Sequence, residues 1–513
     1  QLLSLAARWH CPLARKQMEV LVRELRYEVA EESRDISKRL EAAQILASAL
    51  GDDEDTLEFL LTQITPQASP DWIEGLASIL AKSSRRNLGP RWMQVLPSLT
   101  PAGKRALVKV MLTRQDWLPA FLEGMNQGLI SAGDLSLEQR QALLQISDRR
   151  LAALARKALS RTGSLPDPDR QKVIDSLLAV TRQKGNVEAG KAVFQAHCAR
   201  CHAYQGVGGK IGPDLTGMAV HTKEHLLIEI LDPSRSVEGN YRQYLVATKS
   251  GRVLSGLLVA ESRTTIELLD AEGKRHVLAR DEIEQLQASP KSLMPEGFEQ
   301  QLKPQELADL LEFLTQRGKY LPLPLERSAT ISSARGMFYR EEARQERLVF
   351  PDWQPKNFRG VPFHLIDPQG GRVANVILLY SRQGTFPPKM PKSVEVPCNV
   401  AANSIHLLSG VSGWGYPLGE KGSVSLIVRL HYEDGQSEDH ELRNGEHFAD
   451  YIRRIEVPGS EFAFALGQQQ IRYLSIRPRR REKVIRRIEF IKGPDDTAPI
   501  IMAVTAELSE TPP

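Results

Sequence analysis

At 513 residues, with 41% hydrophobic and 25% charged residues, the chain is too long for a single hydrophobic core and is expected to form about three or four domains. A net charge of +4 is too small for an extended nucleic-acid-binding face, so we predict no nucleic-acid partner. No stretch approaches the ~20 consecutive apolar residues of a transmembrane helix. The densest basic run, 477–487, is expected to be a solvated strand or hairpin edge.

The N-terminal sequence QLLSLAARWHCPLARK lacks the basic, apolar and small-residue regions of a secretion signal. We therefore expect a mature form or a fragment, with the signal peptide absent from this chain. The four cysteines are too few for a disulfide scaffold. Cys11 and Cys398 are predicted to be buried free thiols, and a disulfide between them is the alternative.

Residues 1–183 repeat apolar side chains at helical spacing. Thr100 followed by Pro101 predicts an N-cap with proline at the first helical position. Ser136 is expected to begin a capping box, and Asp148 to cap the next helix. Successive short helices favour a HEAT-like α-solenoid, with an irregular helical bundle as the alternative.

The residue pattern changes twice after the Pro- and Gly-containing junction 164–186. Asn186 is expected to cap a helix that leads into a cysteine pair. The segment 240–290 then has a strand-like period and predicts four or five strands in a small inserted barrel or curled sheet. Helical spacing returns after Pro304, with apolar positions at Leu307, Leu310, Leu311 and Leu314.

The last region, 328–513, is predicted to be almost wholly β. Its apolar runs VANVILLYS, SIHLLSG, SVSLIVRLHY, IRRIEV and IIMAVTAEL are separated by Gly, Pro, Asp and Asn clusters. They favour one antiparallel β-sandwich or jelly roll. The predicted fold class is therefore multidomain α+β.

The motif Cys198-Ala-Arg-Cys201-His202 carries the strongest chemical signal. Two thiols on one turn can add to two vinyl groups of a porphyrin, and the following histidine then lies beneath the iron. Four Cys and 11 His in 513 positions give on the order of 10⁻³ accidental matches. A redox dithiol would need a thioredoxin-like βαβ pattern, and a zinc site a second Cys or His pair. Neither is evident, so we predict one covalent haem c.

The following segment, Ile211-Gly-Pro-Asp-Leu-Thr-Gly217, resembles class I cytochrome c. The resemblance implies that the carbonyl of Pro213 accepts a hydrogen bond from His202 and that Leu215 packs on the porphyrin. Such a carbonyl orients the imidazole and raises its basicity. The resemblance also implies contact between the first and last helices of the domain, through Gly190 and Phe194 on one and Leu310, Phe313 and Leu314 on the other.

Met294, in Ser292-Leu-Met294-Pro-Glu-Gly297, is predicted to be the sixth iron ligand because this loop precedes the last helix. A thioether opposite histidine favours ferrous iron and raises the potential. Core packing is the ordinary role of a methionine. Met294 lies 92 residues after His202 (294 − 202), and the inserted strands account for that length. The rival ligands are Met218, His221, His225 and His276.

This arrangement is similar to the haem-binding domain of large planctomycete and verrucomicrobial proteins, in which a HEAT-like array precedes a cytochrome with a β insertion. The likeness covers 90–318 and rests on Tyr241 with Tyr244, on Gly251-Arg-Val253-Leu-Ser-Gly256 and on Ser-Leu-Met-Pro at 292–295. The resulting domain prediction is a HEAT-like domain at 1–183, a mono-haem cytochrome c domain at 184–320 and a β-sandwich at 328–513.

The C-terminal region loosely resembles the galactose-binding-like jelly rolls of glycan-active proteins. The likeness lies in the strand order and in the turns at Tyr432-Glu-Asp-Gly435 and Asn444-Gly445. Trp414 and Tyr416 are the candidate sugar contacts, and packing at the sandwich rim is the favoured role for both.

Together these patterns favour electron transfer over catalysis, with no catalytic residue assigned. The motif implies a periplasmic or cell-surface protein that accepts electrons from a redox partner, such as a carbohydrate-oxidising dehydrogenase. A peroxidase-like haem enzyme with an open sixth position is one alternative. A glycan-binding scaffold protein is the other.

Overall fold

The computed structural model describes residues 12–50, 53–82, 88–130, 134–135, 137–144, 146, 148–160, 168–235 and 241–509. The chain divides into two compact units. The first unit comprises Gln1–Gln171 and Asp232–Glu296, and the second comprises Lys172–Leu231 and Gly297–Pro513. None of the helices within the described ranges is long and apolar enough to cross a membrane.

Ten α-helices lie before residue 178 within the described residues. They are Pro12–Ala30, Ile36–Leu50, Glu54–Thr62, Pro70–Leu80, Leu88–Val95, Pro101–Met111, Leu118–Asn126, Leu137–Leu144, Arg149–Ser160 and Pro168–Leu177. Ile36–Leu50 packs on Pro70–Leu80, which in turn packs on Pro101–Met111. Leu88–Val95 packs on Leu118–Asn126. Buried leucine, isoleucine and tryptophan side chains form one continuous core along the first nine of these helices, up to Ala158.

Local capping signals set the starts of several of these helices. The Thr100 hydroxyl accepts a hydrogen bond from the backbone N–H of Gly103 at 3.1 Å, with Pro101 at the first helical position. The Asp148 carboxylate accepts from the N–H of Leu151 at 2.9 Å. Both predicted caps are confirmed, whereas the capping box at Ser136 lies outside the described residues.

The inserted segment forms one five-stranded antiparallel sheet. Along the chain its strands are Arg242–Thr248, Val253–Glu261, Thr265–Leu269, Arg275–Ala279 and Ile283–Ser292. In the sheet order, Arg275–Ala279 and Ile283–Ser292 lie at the two edges, and Arg242–Thr248 pairs with Ile283–Ser292. Alternate side chains fill a small core of their own, formed by Tyr244, Val246, Ile266, Leu268, Leu278, Ile283 and Leu286.

Polar contacts join this inserted sheet to the N-terminal helices. The carboxylate of Glu261 accepts from the hydroxyl of Thr100 at 2.9 Å and from the N–H of Ala102 at 3.1 Å. A carboxylate at a helix N-terminus satisfies free N–H groups and complements the helix dipole. Arg280 donates to the carbonyl of Gln67 at 2.7 Å. The compact units therefore group the strands with the preceding helices, whereas the predicted domains place them with the cysteine pair.

The second unit combines a few helices with a β-rich C-terminal region. Its longer helices are Val187–His197, Lys223–Leu231 and Pro304–Leu314, with the short Phe298–Gln301 before the last of them. The two-residue strands Ala203–Tyr204 and Val207–Gly208 pair just after the cysteines.

Three larger sheets and one hairpin make up the C-terminal region. The five-stranded sheet is ordered Glu461–Leu466, Gln469–Ile476, Ala402–Ser409, Ala503–Leu508, Tyr320–Pro322. A four-stranded antiparallel sheet is ordered Ser393–Val400, Ile485–Lys492, Val424–Tyr432, Ser437–Arg443. A smaller mixed sheet is ordered Ile377–Leu378, Ala498–Ile501, Val411–Gly413, Ala449–Asp450, and Lys356–Phe358 pairs with Val361–Phe363.

Two sequence predictions in this region are wrong. The apolar run at 452–457 forms no strand; its carbonyls at Ile455 and Val457 accept hydrogen bonds from the fully buried guanidinium of Arg472. The basic run 477–487 is not a strand or hairpin edge. Its residues 477–484 form a loop after Gln469–Ile476, and 485–487 begin the internal strand Ile485–Lys492 of another sheet.

Candidate functional site

The cysteine pair lies on a tight turn at the end of a capped helix. The side chain of Asn186 accepts from the N–H of Ala189 at 2.8 Å and starts the helix Val187–His197, as predicted. The N–H of Cys201 then donates to the carbonyl of Cys198 at 3.0 Å, and the N–H of His202 donates to the same carbonyl at 2.9 Å. One turn of backbone therefore carries two thiols and an imidazole.

The imidazole of His202 is held by the segment that follows. Its Nδ1 lies 2.8 Å from the carbonyl oxygen of Pro213, so Nδ1 carries the proton and donates it. Nε2 is then the unprotonated nitrogen, which is the form that binds a metal. Burial lowers the pKa of His202 and so favours the neutral ring.

Gly212 lets the chain pass directly over this ring. A Cβ on Gly212 would lie 2.6 Å from Cε1 and 2.8 Å from Nδ1 of His202. Both values are shorter than normal contacts between such atoms, so a side chain would force the imidazole to turn. The sequence prediction did not single out Gly212, although its place just before Pro213 was an available signal.

Leu215 continues the same segment. Its N–H donates to the carbonyl of Ala203 at 2.8 Å, and its side chain is half-buried. The structure thus brings Cys198, Cys201, His202, Pro213 and Leu215 into one local assembly within the second unit.

The environment of the two thiols distinguishes among a redox dithiol, a metal site and haem attachment. Burial, with Cys201 nearby, raises the pKa of Cys198 to about 11. Redox-active Cys-x-x-Cys pairs have lowered thiol pKa values, so this environment does not favour a dithiol catalyst. Among the described residues, no metal-binding cluster of His, Cys, Asp and Glu includes either cysteine. The donor set fits covalent haem attachment, with His202 as an iron ligand.

The helix Val187–His197, which leads into the motif, packs closely on the helix Pro304–Leu314. Gly190 lies against the backbone carbonyl of Asp309, which a Cβ would overlap. The rings of Phe194 and Phe313 have centroids 5.6 Å apart, and Tyr204 lies 4.7 Å from Phe313. The contact between the helix Val187–His197 and Phe313 on the helix Pro304–Leu314 is as predicted. Tyr204 is an additional contact that the sequence prediction missed.

Met294 lies in the first unit, in the loop after the strand Ile283–Ser292. Its N–H donates to the hydroxyl of Ser292 at 3.2 Å, and its side chain is half-buried. It precedes by three residues Gly297, where the chain enters the second unit. Its role as a ligand remains a prediction.

The histidine rivals of Met294 make contacts of their own. The rings of His221 and His225 stack with centroids 4.6 Å apart. Burial, the neighbouring His225 and Arg327 lower the pKa of His221 to about 4. His276 lies on a strand of the inserted sheet, with Nε2 2.7 Å from a carboxylate oxygen of Asp270. The fourth rival, Met218, begins a 3₁₀ turn and is half-buried.

Residues of the β-rich region reach the loop after the motif. Lys210 forms an ion pair with Asp367 at 3.1 Å. The side chain of His364 is 8% exposed, with Nε2 3.3 Å from a carboxylate oxygen of Glu326. Burial lowers the pKa of His364, but Glu326 and Asp214 outweigh that effect and raise it above its ordinary value. These contacts join residues far apart in the chain, so no local sequence signal indicated them.

Of the two candidate sugar contacts, Trp414 is packed among other aromatic rings, whereas Tyr416 lies near a lysine. Trp414 makes edge contacts with Phe338 at 5.3 Å and with Tyr339 at 5.9 Å between centroids, and it is half-buried. The ring of Tyr416 is half-buried, with the ammonium of Lys421 5.8 Å from its centroid. Cys398 is fully buried as a free thiol, as predicted, whereas Cys11 lies outside the described residues.

Comparison with known protein families finds one match, to the family Cytochrome c over residues 187–250. The match starts at the first residue of the helix Val187–His197 and includes both cysteines and His202. It ends in the inserted sheet, before Met294. No curated protein matches the chain. The family match supports haem-based electron transfer, and the family implies covalently bound haem c.

Proposed function

We propose that the chain is a c-type cytochrome that works outside the cytoplasm and transfers electrons singly through one covalently attached haem. The observation that carries the proposal is the turn 198–202, which presents two thiols and an imidazole whose Nδ1 is held by the carbonyl of Pro213. The Cytochrome c match over 187–250 supports haem-based electron transfer.

Each residue of the turn has a distinct part in binding. Cys198 and Cys201 would form the two thioether bonds, and Nε2 of His202 would bind the iron. Donation from Nδ1 to Pro213 keeps the ring in one orientation and makes Nε2 a stronger electron donor. Leu215 would pack on the porphyrin. The bound haem supplies a centre that gains and loses one electron.

Met294 is proposed as the sixth ligand. The support is its position in the chain: it follows the inserted strands and precedes the helix Pro304–Leu314. A neutral thioether stabilises ferrous iron relative to ferric iron and raises the potential, as suits an electron carrier.

The finer assignment follows the resemblance to planctomycete-type proteins. We propose a HEAT-like array for the N-terminal helices, supported by the packing of alternate helices on one another. For the inserted strands we propose a small barrel or curled sheet, supported by the core that they form among themselves. The partner would be a dehydrogenase, with a carbohydrate-oxidising dehydrogenase as one candidate. Haem attachment to this motif takes place on the outer side of the bacterial inner membrane, which supports a periplasmic or cell-surface location.

Absorption spectra of the protein matured with haem attachment test the electron-carrier proposal. Ferric haem with a methionine ligand has a weak far-red charge-transfer band. We expect this band in the wild type, its loss in Met294→Ala and its retention in the control Met218→Ala. Carbon monoxide should bind the reduced wild type slowly and Met294→Ala readily.

Two results would contradict parts of this proposal. Loss of the band in Met218→Ala, with the band retained in Met294→Ala, would identify Met218 as the iron ligand. A wild-type protein that lacks the band and rapidly binds both peroxide and carbon monoxide would have an open coordination position at the iron. That result would replace the electron carrier with a haem enzyme.

A further inference from the structure

Three neighbouring strands of the four-stranded antiparallel sheet place unlike donor groups side by side. Ser393–Val400 carries Glu395, Ile485–Lys492 carries Glu489 and Val424–Tyr432 carries His431. Alternate residues of these strands, such as Val396, Ile488 and Leu430, are buried in the core. The donor groups therefore share the outward face of the sheet.

The three donor atoms are close enough for one ion. Nε2 of His431 lies 2.9 Å from a carboxylate oxygen of Glu489. One ligand atom from each of Glu395, His431 and Glu489 lies within 4.8 Å of the other two. Tetrahedral zinc with bonds of about 2.0–2.2 Å requires its ligand atoms to be about 3.3–3.6 Å apart. Rotation of the exposed Glu395 side chain can supply the remaining movement.

The charges on this face favour a cation between the strands. Glu395 and Glu489 lie directly opposite each other, an arrangement of like charges that destabilises a sheet. Arg429 lies directly opposite Glu489, but its guanidinium donates two hydrogen bonds to the carboxylate of Asp439, at 2.7 and 2.8 Å. Arg487 contacts Glu395 at 2.9 Å, but both side chains are largely solvated, at 43% and 56% exposure. Such an exposed pair is weak and yields readily to an ion.

We propose that Glu395, His431 and Glu489 form a binding site for a zinc-like divalent ion, separate from the haem site. One imidazole and two carboxylates match the nitrogen and oxygen donors of three-ligand zinc sites, which leave a fourth position to water. The ion would link three adjacent strands. The charged side chains that face it are Arg429, Asp439 and Arg487, of which Arg487 lies directly opposite His431.

The same sheet offers a matched control. His440 and Glu438 form a similar pair at 2.8 Å on the edge strand Ser437–Arg443. Among the described residues, no third metal-binding side chain lies close enough to complete a site with this pair. His440→Gln therefore removes a histidine–glutamate pair without touching the proposed site.

The test is calorimetric titration of chelator-treated holoprotein with Zn²⁺ at pH 7.5. The holoprotein is used because its Cys198 and Cys201 are bonded to haem and cannot bind zinc. We expect one zinc site, whose affinity falls more than about tenfold in His431→Gln. Even the mutation of a residue that only hydrogen-bonds to a zinc ligand typically lowers metal affinity by that factor. His440→Gln should bind like the wild type. Glu395→Gln, at an exposed position, should also lose affinity without loss of fold.

Three outcomes would overturn the proposal. These are no zinc binding by the wild type, equal affinity in Glu395→Gln and His440→Gln, or equal binding of Ca²⁺, which would mean that the carboxylates act without the imidazole. Failure of this test leaves the spectra that test the electron-carrier proposal unaffected, because the haem ligands are different residues.

Discussion

Replacing Gly190 with alanine adds a methyl group to the contact between the helices Val187–His197 and Pro304–Leu314. The new Cβ would overlap the backbone carbonyl of Asp309 and approach Cβ of Phe313 to 2.8 Å. Non-bonded carbon atoms normally stay about 3.5–4.0 Å apart. Because a backbone carbonyl cannot rotate away as a side chain can, the two helices must move apart.

The expected loss of stability is the difference between two opposing effects. Alanine gains about 1 kcal/mol over glycine within a helix, whereas overpacking costs about 1–3 kcal/mol. A clash with backbone atoms should cost an amount near the upper end of the overpacking range. We therefore expect Gly190→Ala to lower the free energy of unfolding by about 1–2 kcal/mol. With an m-value of about 2 kcal/mol/M, the urea midpoint falls by about 0.5–1 M.

Gly318→Ala is the matched control, because no atom lies within 4 Å of its added Cβ. Its unfolding free energy should stay within about 0.5 kcal/mol of the wild type. The assay is urea unfolding of the holoprotein, followed by haem absorption, which reports on the unit that carries the motif. If both variants unfold at the same urea concentration, the close packing at Gly190 is refuted.

Three further predictions concern other parts of the second unit. Gly212→Ala should turn the His202 ring from its carbonyl partner and raise the potential by up to about 60 mV, the equivalent of one hydrogen bond; an unchanged potential in a redox titration would contradict this. Nearby carboxylates outweigh the effect of burial and raise the pKa of His364 in the folded protein. The protonated imidazole therefore stabilises the fold. This stabilisation is complete below pH ~6.5 and is lost as the pH rises through the folded-state pKa. The thermal midpoint of the wild type relative to His364→Gln should therefore fall as pH rises from about 6 to 8, and parallel profiles would count against it. Burial raises the pKa of Cys398 to about 12, so iodoacetamide should label this thiol only after unfolding, as peptide mass spectrometry can show.

Features encoded by neighbouring residues were predictable from the sequence. The cap at Asn186, the Thr100–Pro101 helix start and the helix Pro304–Leu314 each depend on a few adjacent side chains. The Cys-x-x-Cys-His spacing likewise places two thiols and an imidazole on one turn, whatever surrounds it.

Features that depend on tertiary packing were not predictable in this way. The run 452–457 has the composition of a strand, but Arg472 engages its carbonyls. The grouping of the inserted sheet with the N-terminal helices depends on Glu261, which meets Thr100 from 161 residues away. Ion pairs such as Lys210 with Asp367 likewise join distant segments. Local periodicity carries no information on such contacts.

The proposed function depends on the attachment of one haem through Cys198 and Cys201. The most direct measurement is the intact mass of the denatured protein after expression with haem-attachment machinery, followed by peptide mapping. We predict an added mass of one haem, located on the peptide that contains both cysteines, and its loss in a Cys198→Ala/Cys201→Ala double variant. A wild-type protein without added mass, or with haem that denaturation removes, would contradict the account.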